Sequence, residues 1–595
     1  MPIMKIYPLY DGVNMNFKTI LEACFQVSLD SEQKESSAIL AQSLLETNTT
    51  IKQLENYLSE SGIRAQCAVI EKEYLDKNFS DDYLSYYGGC FRDCPRKCCR
   101  VHFFNKCYDE ISMQKMLLLP EEDVLRKFKK SYLGFVVIRP IQKAIVGRTC
   151  LVPYPCKEKA LESGRHYPAV CKNDVSFFGI KMAVECMPFQ EQDCGTSACA
   201  TCALWSSFCV SAKMFGNKSL SPSAITTIAM ENGYSVGTRF PNRGLMAEEM
   251  VYAMRRNGLE PVIAHLKGCD KTELEYLFPG FVYAYLNLGV SVIAIIEDVS
   301  GGGKHAVAVN GYNLKDDNGE VLSAMRIDKY YANDDQCCPG ARFCPVTDNG
   351  TLRLVAYHGS SISPKLHKTY NLECLMVPLY HKIRVTFNEI AELVLNANGI
   401  LFFADLCCRP CNKALLAALC KTESFIEPFK GLFVVNDSTG IDIKFDKIPY
   451  WNKDLVKMCT KELMKEFDEY RQNGKKNIYK EKGTKKIIQW DVTIKASNDV
   501  KDEFRRVDQF SEKGRVEFLE KPLPRYIWCV RVRYDNKDSA IIFIDATDSV
   551  RGLCVVGVIF FDREIQDIAR YACANNKKVA ADPLIKALCA YCVEP

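Results

Sequence analysis

The residues best suited to covalent chemistry lie in the segment FQEQDCGTSACATCALW, residues 189–205. A cysteine nucleophile reacts as the thiolate, and the positive end of a helix dipole favours that anion. If Ser197 caps the helix that follows, Cys199 lies in its first turn, where unpaired backbone N–H groups point outward. The small side chains around Cys199 leave room for a substrate backbone. The segment therefore predicts a nucleophilic thiol at Cys199.

A cysteine nucleophile needs a base, and the chain has 7 histidines from which one can come. His305 opens the apolar segment HAVAVNGY, just after the glycine-rich turn Gly301–Gly303. This pattern predicts a β-strand that carries the imidazole at the end of a sheet. The other histidines downstream of Cys199 lack such a context and are interpreted as surface or core residues. His305 is therefore the predicted base.

The segment MRIDKYYANDDQ follows His305 at the distance of a hairpin and offers a third residue. Such a residue orients the imidazole by accepting a hydrogen bond from its second ring nitrogen. Asn333, Asp334 and Asp335 are the candidates, and Asp328 is a weaker one. An Asp-rich turn also ends strands without any catalytic role, so the position after His305 carries this prediction.

Gln192 lies seven residues before Cys199, where its amide can donate to an oxyanion together with the backbone N–H of Cys199. The glutamine, the cysteine and the histidine follow each other in the order found in papain-like cysteine peptidases. Residues from roughly 180 to 380 therefore resemble that superfamily, and most closely its bacterial branch of leader-cleaving, double-glycine peptidases. The resemblance implies an α+β core with the nucleophile helix packed on an antiparallel sheet. It also implies Asp334 as the third member, because that branch uses Asp in an Asn-Asp context. The spacing from Gln192 to Cys199 is one residue longer than in papain itself.

Cys194 is the alternative nucleophile, because Asp193–Cys194–Gly195 resembles the Cys-Gly pair that opens the leader-peptidase helix. However, Gln190 and Gln192 lie only four and two residues before Cys194, which is close for an oxyanion partner. Cys199 is therefore preferred.

The elements around these residues follow from periodicity and breakers. A helix is predicted from the Cys199 segment to Gly216, and strands are predicted at SVIAIIEDV, HAVAVNGY and SAMRIDKYYAND. Helices followed by hairpin-connected strands predict an α+β fold. The 595 residues exceed what one core usually supports. We expect a helical, Cys-rich region at 1–150, the hydrolase core at 151–380 and a mixed α/β domain at 381–595.

A second cluster of potential ligands precedes the core. Its residues offer enough sulfur and nitrogen atoms for a tetrahedral zinc ion: Cys90, Cys94, Cys98, Cys99, His102 and Cys107. The paired two-residue spacing of zinc motifs is absent except between Cys99 and His102. Zinc is thus a candidate cofactor, and the alternative is a Cys-rich loop with no metal.

The bulk composition argues against several partners. A formal net charge of +4 is too small to indicate nucleic-acid binding. No apolar run approaches the roughly 20 residues that cross a bilayer, and the first residues lack a signal-peptide core. The 30 cysteines are spread along a long chain, which favours reduced thiols and a cytoplasmic location.

These observations predict a cysteine peptidase-like hydrolase that acts on a protein or peptide through a Cys-His-Asp triad and a thioester. Hydrolysis, transfer and deamidation share that intermediate and are not separated by sequence. The alternative from another class is an inactive papain-like scaffold or interaction protein. The oligomeric state is not predicted.

Overall fold

The structure is a computed structural model. It describes residues 4–11, 14–15, 17–25, 34–59, 62–91, 94–118, 121–141, 144–155, 164–193, 195–231, 233, 235, 237–317, 319–348, 351–357, 368–408, 433–436, 440–443, 488–506, 512–548, 552–575 and 579–589. Of these described residues, 39% are helical and 34% are in strands, so the predicted mixture of α and β structure is confirmed.

The contacts within the chain define two compact units. The first combines residues 1–269, 285–315 and 327–381, and the second combines 270–284, 316–326 and 382–595. The three-segment organisation expected from the sequence stays a prediction.

The described helices of the first unit are α1 (Phe17–Phe25), α2 (Lys34–Thr47), α3 (Thr49–Leu58), α4 (Lys77–Ser85), α5 (Glu110–Leu118), α6 (Glu122–Ser131), α7 (Cys199–Phe215), α8 (Pro222–Ala229) and α9 (Ala247–Arg256). Its strands are β1 (Met4–Pro8), β2 (Tyr10–Asp11), β3 (Asn14–Met15), β4 (Cys67–Tyr74), β5 (Cys98–Phe104), β6 (Tyr132–Ile138), β7 (Val146–Leu151), β8 (Gly164–His166), β9 (Cys171–Phe177), β10 (Ile180–Cys186), β11 (Leu259–His265), β12 (Val292–Asp298), β13 (Lys304–Leu314), β14 (Ile327–Asp334), β15 (Cys338–Asp348), β16 (Thr351–Tyr357) and β17 (Lys368–Tyr380).

An antiparallel sheet with the order β1-β4-β5-β6-β7 lies in the N-terminal part of the first unit. Every residue of β5 is buried. Because side chains alternate along a strand, Cys99 and Phe103 join one apolar cluster while Cys98 and Phe104 join another on the opposite face. Both faces of this sheet are therefore covered, which explains the continuous apolar sequence of the strand.

A larger antiparallel sheet carries the residues of interest. Its strands follow the order β11-β17-β12-β13-β14-β15-β16, and β16 also pairs with β17. That last pairing closes six strands, from β17 round to β16, into a barrel. Closure pairs the strand edges with each other and fixes the ends of β13 and β14 side by side.

Helix α7 packs on this sheet and contacts β12, β13, β14 and β17. It is buried over most of its length, and Trp205 and Phe208 are its largest enclosed side chains. A helix that is apolar on nearly all sides has to lie within the protein, as this one does. It ends at Gly216, which adopts the left-handed conformation (φ 75°) that favours glycine, so the predicted helix end is confirmed.

The hairpin between β12 and β13 determines where β13 begins. Gly301 and Gly303 both have positive φ, 90° and 86°, and the backbone N–H of Asp298 donates to the carbonyl of Gly303. The predicted strands at 291–299 and 305–312 are confirmed, whereas Ser323–Arg326 forms a 3₁₀-helix and β14 starts only at Ile327.

The second unit contains the described helices α10 (Lys271–Asn287, mostly in this unit), α11 (Phe387–Cys408), α12 (Ser497–Phe504), α13 (Glu512–Glu520), α14 (Glu564–Asn575) and α15 (Pro583–Cys589). Its strands are β18 (Phe433–Asn436), β19 (Gly440–Ile443), β20 (Ile488–Ala496), β21 (Tyr526–Tyr534), β22 (Lys537–Asp545) and β23 (Val555–Phe560).

The last four strands of the second unit form an antiparallel sheet in the order β20-β21-β22-β23. Two tryptophans tie its first strands to neighbouring segments. Trp490 donates to the side chain of Asn398 at 2.9 Å, and Trp528 donates to the carbonyl of Val385 at 3.0 Å. Across the described part of the chain, every helix falls short of the length and apolarity needed to traverse a bilayer.

Candidate active site

Cys199 is the first residue of α7. The residue before the helix is Ala198, in extended conformation and without a capping side chain, so the expectation that Ser197 caps the helix is wrong. Ser197 instead directs its hydroxyl and its backbone N–H to Asp193. The backbone N–H groups of the first turn of α7 are thus left without a side-chain cap, which suits the binding of an anion.

Asp193 organises the loop that leads to Cys199. Its Oδ1 atom accepts hydrogen bonds from the backbone N–H groups of Gly195, Thr196 and Ser197 at 2.9–3.0 Å. Its Oδ2 atom accepts from the Thr196 hydroxyl at 2.8 Å. The guanidinium of Arg139 lies 3.7 Å away, and both side chains are enclosed. One carboxylate therefore fixes the backbone of three consecutive residues.

The electrostatics of Asp193 agree with this role. Burial would raise the pKa of Asp193, but the charge of Arg139 and the hydrogen bonds from Ser197, Thr196 and Tyr87 outweigh it and lower that pKa. Gly195 passes close to the same tyrosine, and an added Cβ there would lie 2.9 Å from the Tyr87 hydroxyl. The loop therefore needs both a charged Asp193 and a glycine at position 195.

His305 lies near the start of β13 and is only 6% exposed. Its Nε2 atom is 2.9 Å from Oδ1 of Asp334. Its Nδ1 atom makes no hydrogen bond within the described residues, and the Cys199 side chain lies near enough to the imidazole to raise the pKa of His305. Because Asp334 occupies Nε2, Nδ1 is the nitrogen left for the thiol.

The charge state of His305 follows from these neighbours. Burial lowers its pKa, but the charge and hydrogen bond of Asp334, the Cys199 interaction and the charge of Asp335 together raise the pKa of His305 well above the ordinary value. The site thus favours an imidazolium. A cation beside a thiol stabilises the thiolate form of that thiol.

The structure distinguishes the three candidates for the third residue. Asp334, the last residue of β14, lies within hydrogen-bonding distance of His305. Asn333 faces away and donates to the carbonyls of Pro188 and Met187 at 2.8 and 3.3 Å. Asp335 is buried and lies 3.8 Å from Nε2 of His305, beyond hydrogen-bonding distance. Only Asp334 is therefore placed to orient the imidazole.

The two glutamines before Cys199 have different environments. Gln192 is half-buried, and its side chain makes no hydrogen bond within the described residues. Gln190 is 3% exposed, and its buried Nε2 atom has no acceptor among the described residues. A buried amide donor without an acceptor costs free energy unless a ligand supplies one. Sequence reasoning considered Gln190 only as a partner for Cys194, and no signal in the sequence indicated its burial.

The alternative nucleophile Cys194 lies outside the described residues. The Cys-rich stretch from Cys90 to Cys107 is described, and its members do not form a group that could hold a metal ion. Cys98 and Cys99 point to opposite faces of β5. His102 has both nitrogens engaged, Nδ1 by Tyr132 at 3.0 Å and Nε2 by Glu71 at 3.4 Å. The zinc centre considered for this stretch is therefore not assembled.

Within the described residues, one group of three potential ligands lies close enough together to hold a metal ion. It consists of His305, Asp334 and Asp335, with one ligand atom from each within 4.8 Å of the others.

No family model matches the chain, and no curated protein sequence matches it. The resemblance to papain-like peptidases therefore rests on the residues themselves.

Proposed function

We propose that this chain is a papain-like cysteine hydrolase that cleaves a protein or peptide bond, with Cys199 as nucleophile and His305 as its base. The observation that carries the proposal is the convergence of Cys199, His305 and Asp334. A thiol at the N-terminus of a buried helix interacts with an imidazole whose other nitrogen is held by a carboxylate at 2.9 Å. Nucleophile, base and orienting acid are the three parts of a catalytic triad.

The chemistry that these groups support has two stages. Nδ1 of His305 takes the thiol proton, and the Cys199 sulfur attacks the carbonyl carbon to give a tetrahedral oxyanion. The imidazolium returns that proton to the leaving amine, which leaves a thioester on Cys199. Water, deprotonated by His305, then attacks the thioester and releases the acid and the free thiol. Asp334 keeps the imidazole oriented and stabilises its charge throughout.

The oxyanion needs hydrogen-bond donors. The backbone N–H of Cys199, at the uncapped start of α7, is one candidate. The second is a side-chain amide, and the buried Nε2 of Gln190 favours that residue over Gln192 because it lacks any other acceptor within the described residues.

The architecture supports the same proposal. In papain-like enzymes the nucleophile helix packs on an antiparallel sheet that carries the base. Here α7 contacts the antiparallel strands β12, β13 and β14, and His305 belongs to β13.

The proposal is tested with a library of peptides from a digested proteome. New peptide termini are identified by mass spectrometry after incubation with the purified chain, and with the Cys199→Ala and Cys194→Ala variants. We expect cleavage by the parent chain and by Cys194→Ala, and none by Cys199→Ala. Cleavage lost only in Cys194→Ala would show that Cys194, and not Cys199, is the nucleophile. Identical products from Cys199→Ala would refute the proposed mechanism.

A further inference from the structure

Asp335 makes no hydrogen bond to the imidazole, yet its buried position costs free energy. Its side chain is 4% exposed, and neither carboxylate oxygen makes a hydrogen bond to another described residue. A buried carboxylate normally has hydrogen-bond donors or a countercharge, because removing the charge from water costs free energy. The nearest cationic group is His305, with Nε2 at 3.8 Å from Oδ1 of Asp335, and that nitrogen already binds Asp334.

We propose that His305, Asp334 and Asp335 form an inhibitory site for a divalent transition-metal ion such as Zn²⁺. Imidazole nitrogen and carboxylate oxygen are both normal zinc ligands, and water can complete the tetrahedron. The three side chains lie on β13 and at the end of β14, so rigid elements hold them together. Two carboxylates and one dication give a neutral centre, so the ion would compensate the charge of Asp335 when that carboxyl is ionised.

The distances fit a tetrahedral ion after a small adjustment. Ligand atoms about 2.1 Å from zinc lie roughly 3.4 Å apart in a tetrahedron. The Nε2 atom of His305 is 2.9 Å from Asp334 and 3.8 Å from Asp335, so the two values lie on either side of that separation. A side-chain rotation that moves each carboxylate oxygen by about half an ångström brings both distances to the tetrahedral separation.

Metal binding and the triad exclude each other. Zinc at Nε2 takes the place of the proton that His305 shares with Asp334, and that proton leaves to solvent. The hydrogen bond that orients the imidazole is then lost, and a metal-bound imidazole has no charge with which to stabilise the thiolate. Zinc thereby switches the site off, while the Cys199 sulfur is not a ligand. The inhibition rests on the proposed function, whereas the metal site itself does not.

Binding is tested first, independently of catalysis, in the Cys199→Ala chain. With histidine labelled by ¹³C and ¹⁵N, only the 7 imidazoles give signals, so zinc bound at cysteines elsewhere in the chain is not observed directly. The His305 signal is assigned from its loss in His305→Gln. We expect buffered Zn²⁺ to shift it in Cys199→Ala, with at least tenfold weaker affinity in Cys199→Ala/Asp335→Asn. A His305 signal that zinc leaves unchanged overturns the proposal.

Inhibition is tested with the intact thiol, by the zinc concentration that halves the rate at which iodoacetamide labels Cys199. We expect this concentration to rise at least tenfold in Asp335→Asn and not in Asp328→Asn, a control on β14 whose carboxylate bonds Asn313 instead. Equal sensitivity of the parent chain and Asp335→Asn would mean that zinc acts at the thiol, and would overturn the proposal. If Asp335→Asn does not fold, Asp335→Ser removes the same carboxylate.

The two proposals fail separately. A His305 signal that responds to zinc in a chain whose Cys199 is not activated would refute the hydrolase and leave the metal site. An activated Cys199 together with a His305 signal that zinc does not shift would refute the metal site and leave the hydrolase proposal.

Discussion

Asp334 and Asp335 are neighbours in sequence, but their carboxylates meet the same nitrogen of His305 at different distances, 2.9 Å for Asp334 and 3.8 Å for Asp335. The first distance is a charge-assisted hydrogen bond, and the second is an electrostatic contact alone. The last residue of β14 therefore supplies a carboxylate that hydrogen-bonds His305, and the residue after it supplies one that adds charge beside the imidazole. Their separate substitution distinguishes these roles.

Asp334→Ala is expected to slow the alkylation of Cys199 by at least tenfold at pH 7. The carboxylate raises the pKa of His305, so its removal lowers that pKa and moves the loss of imidazolium to lower pH. The measurement is the labelling rate by iodoacetamide between pH 5 and 10. Asp334→Asn should fall between the two, because an amide oxygen still accepts from Nε2 but carries no charge to raise the pKa of His305. Equal rates for Asp334→Ala and the parent chain would contradict the assignment.

Gln190→Ala is expected to reduce acyl transfer by about 10- to 1,000-fold without changing alkylation, since only acyl transfer forms an oxyanion. The two reactions are compared on the same protein, with a p-nitrophenyl ester and with iodoacetamide. Gln192→Ala is the matched control, being half-buried and two residues away. A loss of acyl transfer in Gln192→Ala alone would assign the oxyanion donor to Gln192, the residue that the sequence pattern favours.

Asp193→Ala should destabilise the first unit by about 3 kcal/mol, because it leaves Arg139 buried without its carboxylate. It also frees the backbone of Gly195, Thr196 and Ser197, so the labelling rate of Cys199 should fall together with thermal stability. The exposed Asp174→Asn on β9 serves as the control. Unchanged melting of Asp193→Ala would show that this carboxylate does not hold the loop.

Asp82 predicts a pH dependence of stability. It is fully buried, its Oδ1 accepts from the backbone N–H of Ser223 at 3.0 Å, and its Oδ2 has no partner among the described residues. Burial first, and the charge of Asp193 second, raise the pKa of Asp82 to about 7. The folded chain therefore holds a proton that the unfolded chain releases near pH 4, so stability falls as the pH rises from about 4 to 7.

The Asp82→Asn variant removes this titration. Between pH 5 and 8 the parent chain should lose on the order of 2 kcal/mol more unfolding free energy than the variant. The measurement is urea unfolding at the two pH values. An equal change in both proteins would mean that Asp82 is ionised throughout.

The sequence predicts the local elements of the site well, because they depend on local signals. The end of α7 at Gly216 and the strand that begins before His305 both follow from glycines and apolar periodicity. The order of Cys199, His305 and Asp334 along the chain is visible in the sequence, whereas their catalytic roles stay a prediction. The cap at Ser197 was wrong because Asp193, four residues earlier, competes for the same hydroxyl and N–H.

The features of the site that the sequence does not predict depend on packing between segments that are distant along the chain. Gln190 and Asp335 are both buried in the folded chain, and no periodicity of the sequence encodes that burial. The contact of Asp193 with Arg139 joins two segments that were predicted to belong to separate regions, since Arg139 follows β6. The dispersal of Cys98 and Cys99 likewise follows from the pleat of a buried strand.

The most direct test of the central claim is the relative reactivity of Cys199 at pH 6. Ordinary thiols are mostly protonated at this pH, whereas a neighbouring imidazolium stabilises the thiolate form of a cysteine. With limiting iodoacetamide and peptide mapping, Cys199 should be labelled at least tenfold faster than the exposed Cys90 and Cys107 in the same molecule, and this advantage should vanish in His305→Ala. Labelling of Cys199 no faster than these two thiols, or an unchanged rate in His305→Ala, would contradict it.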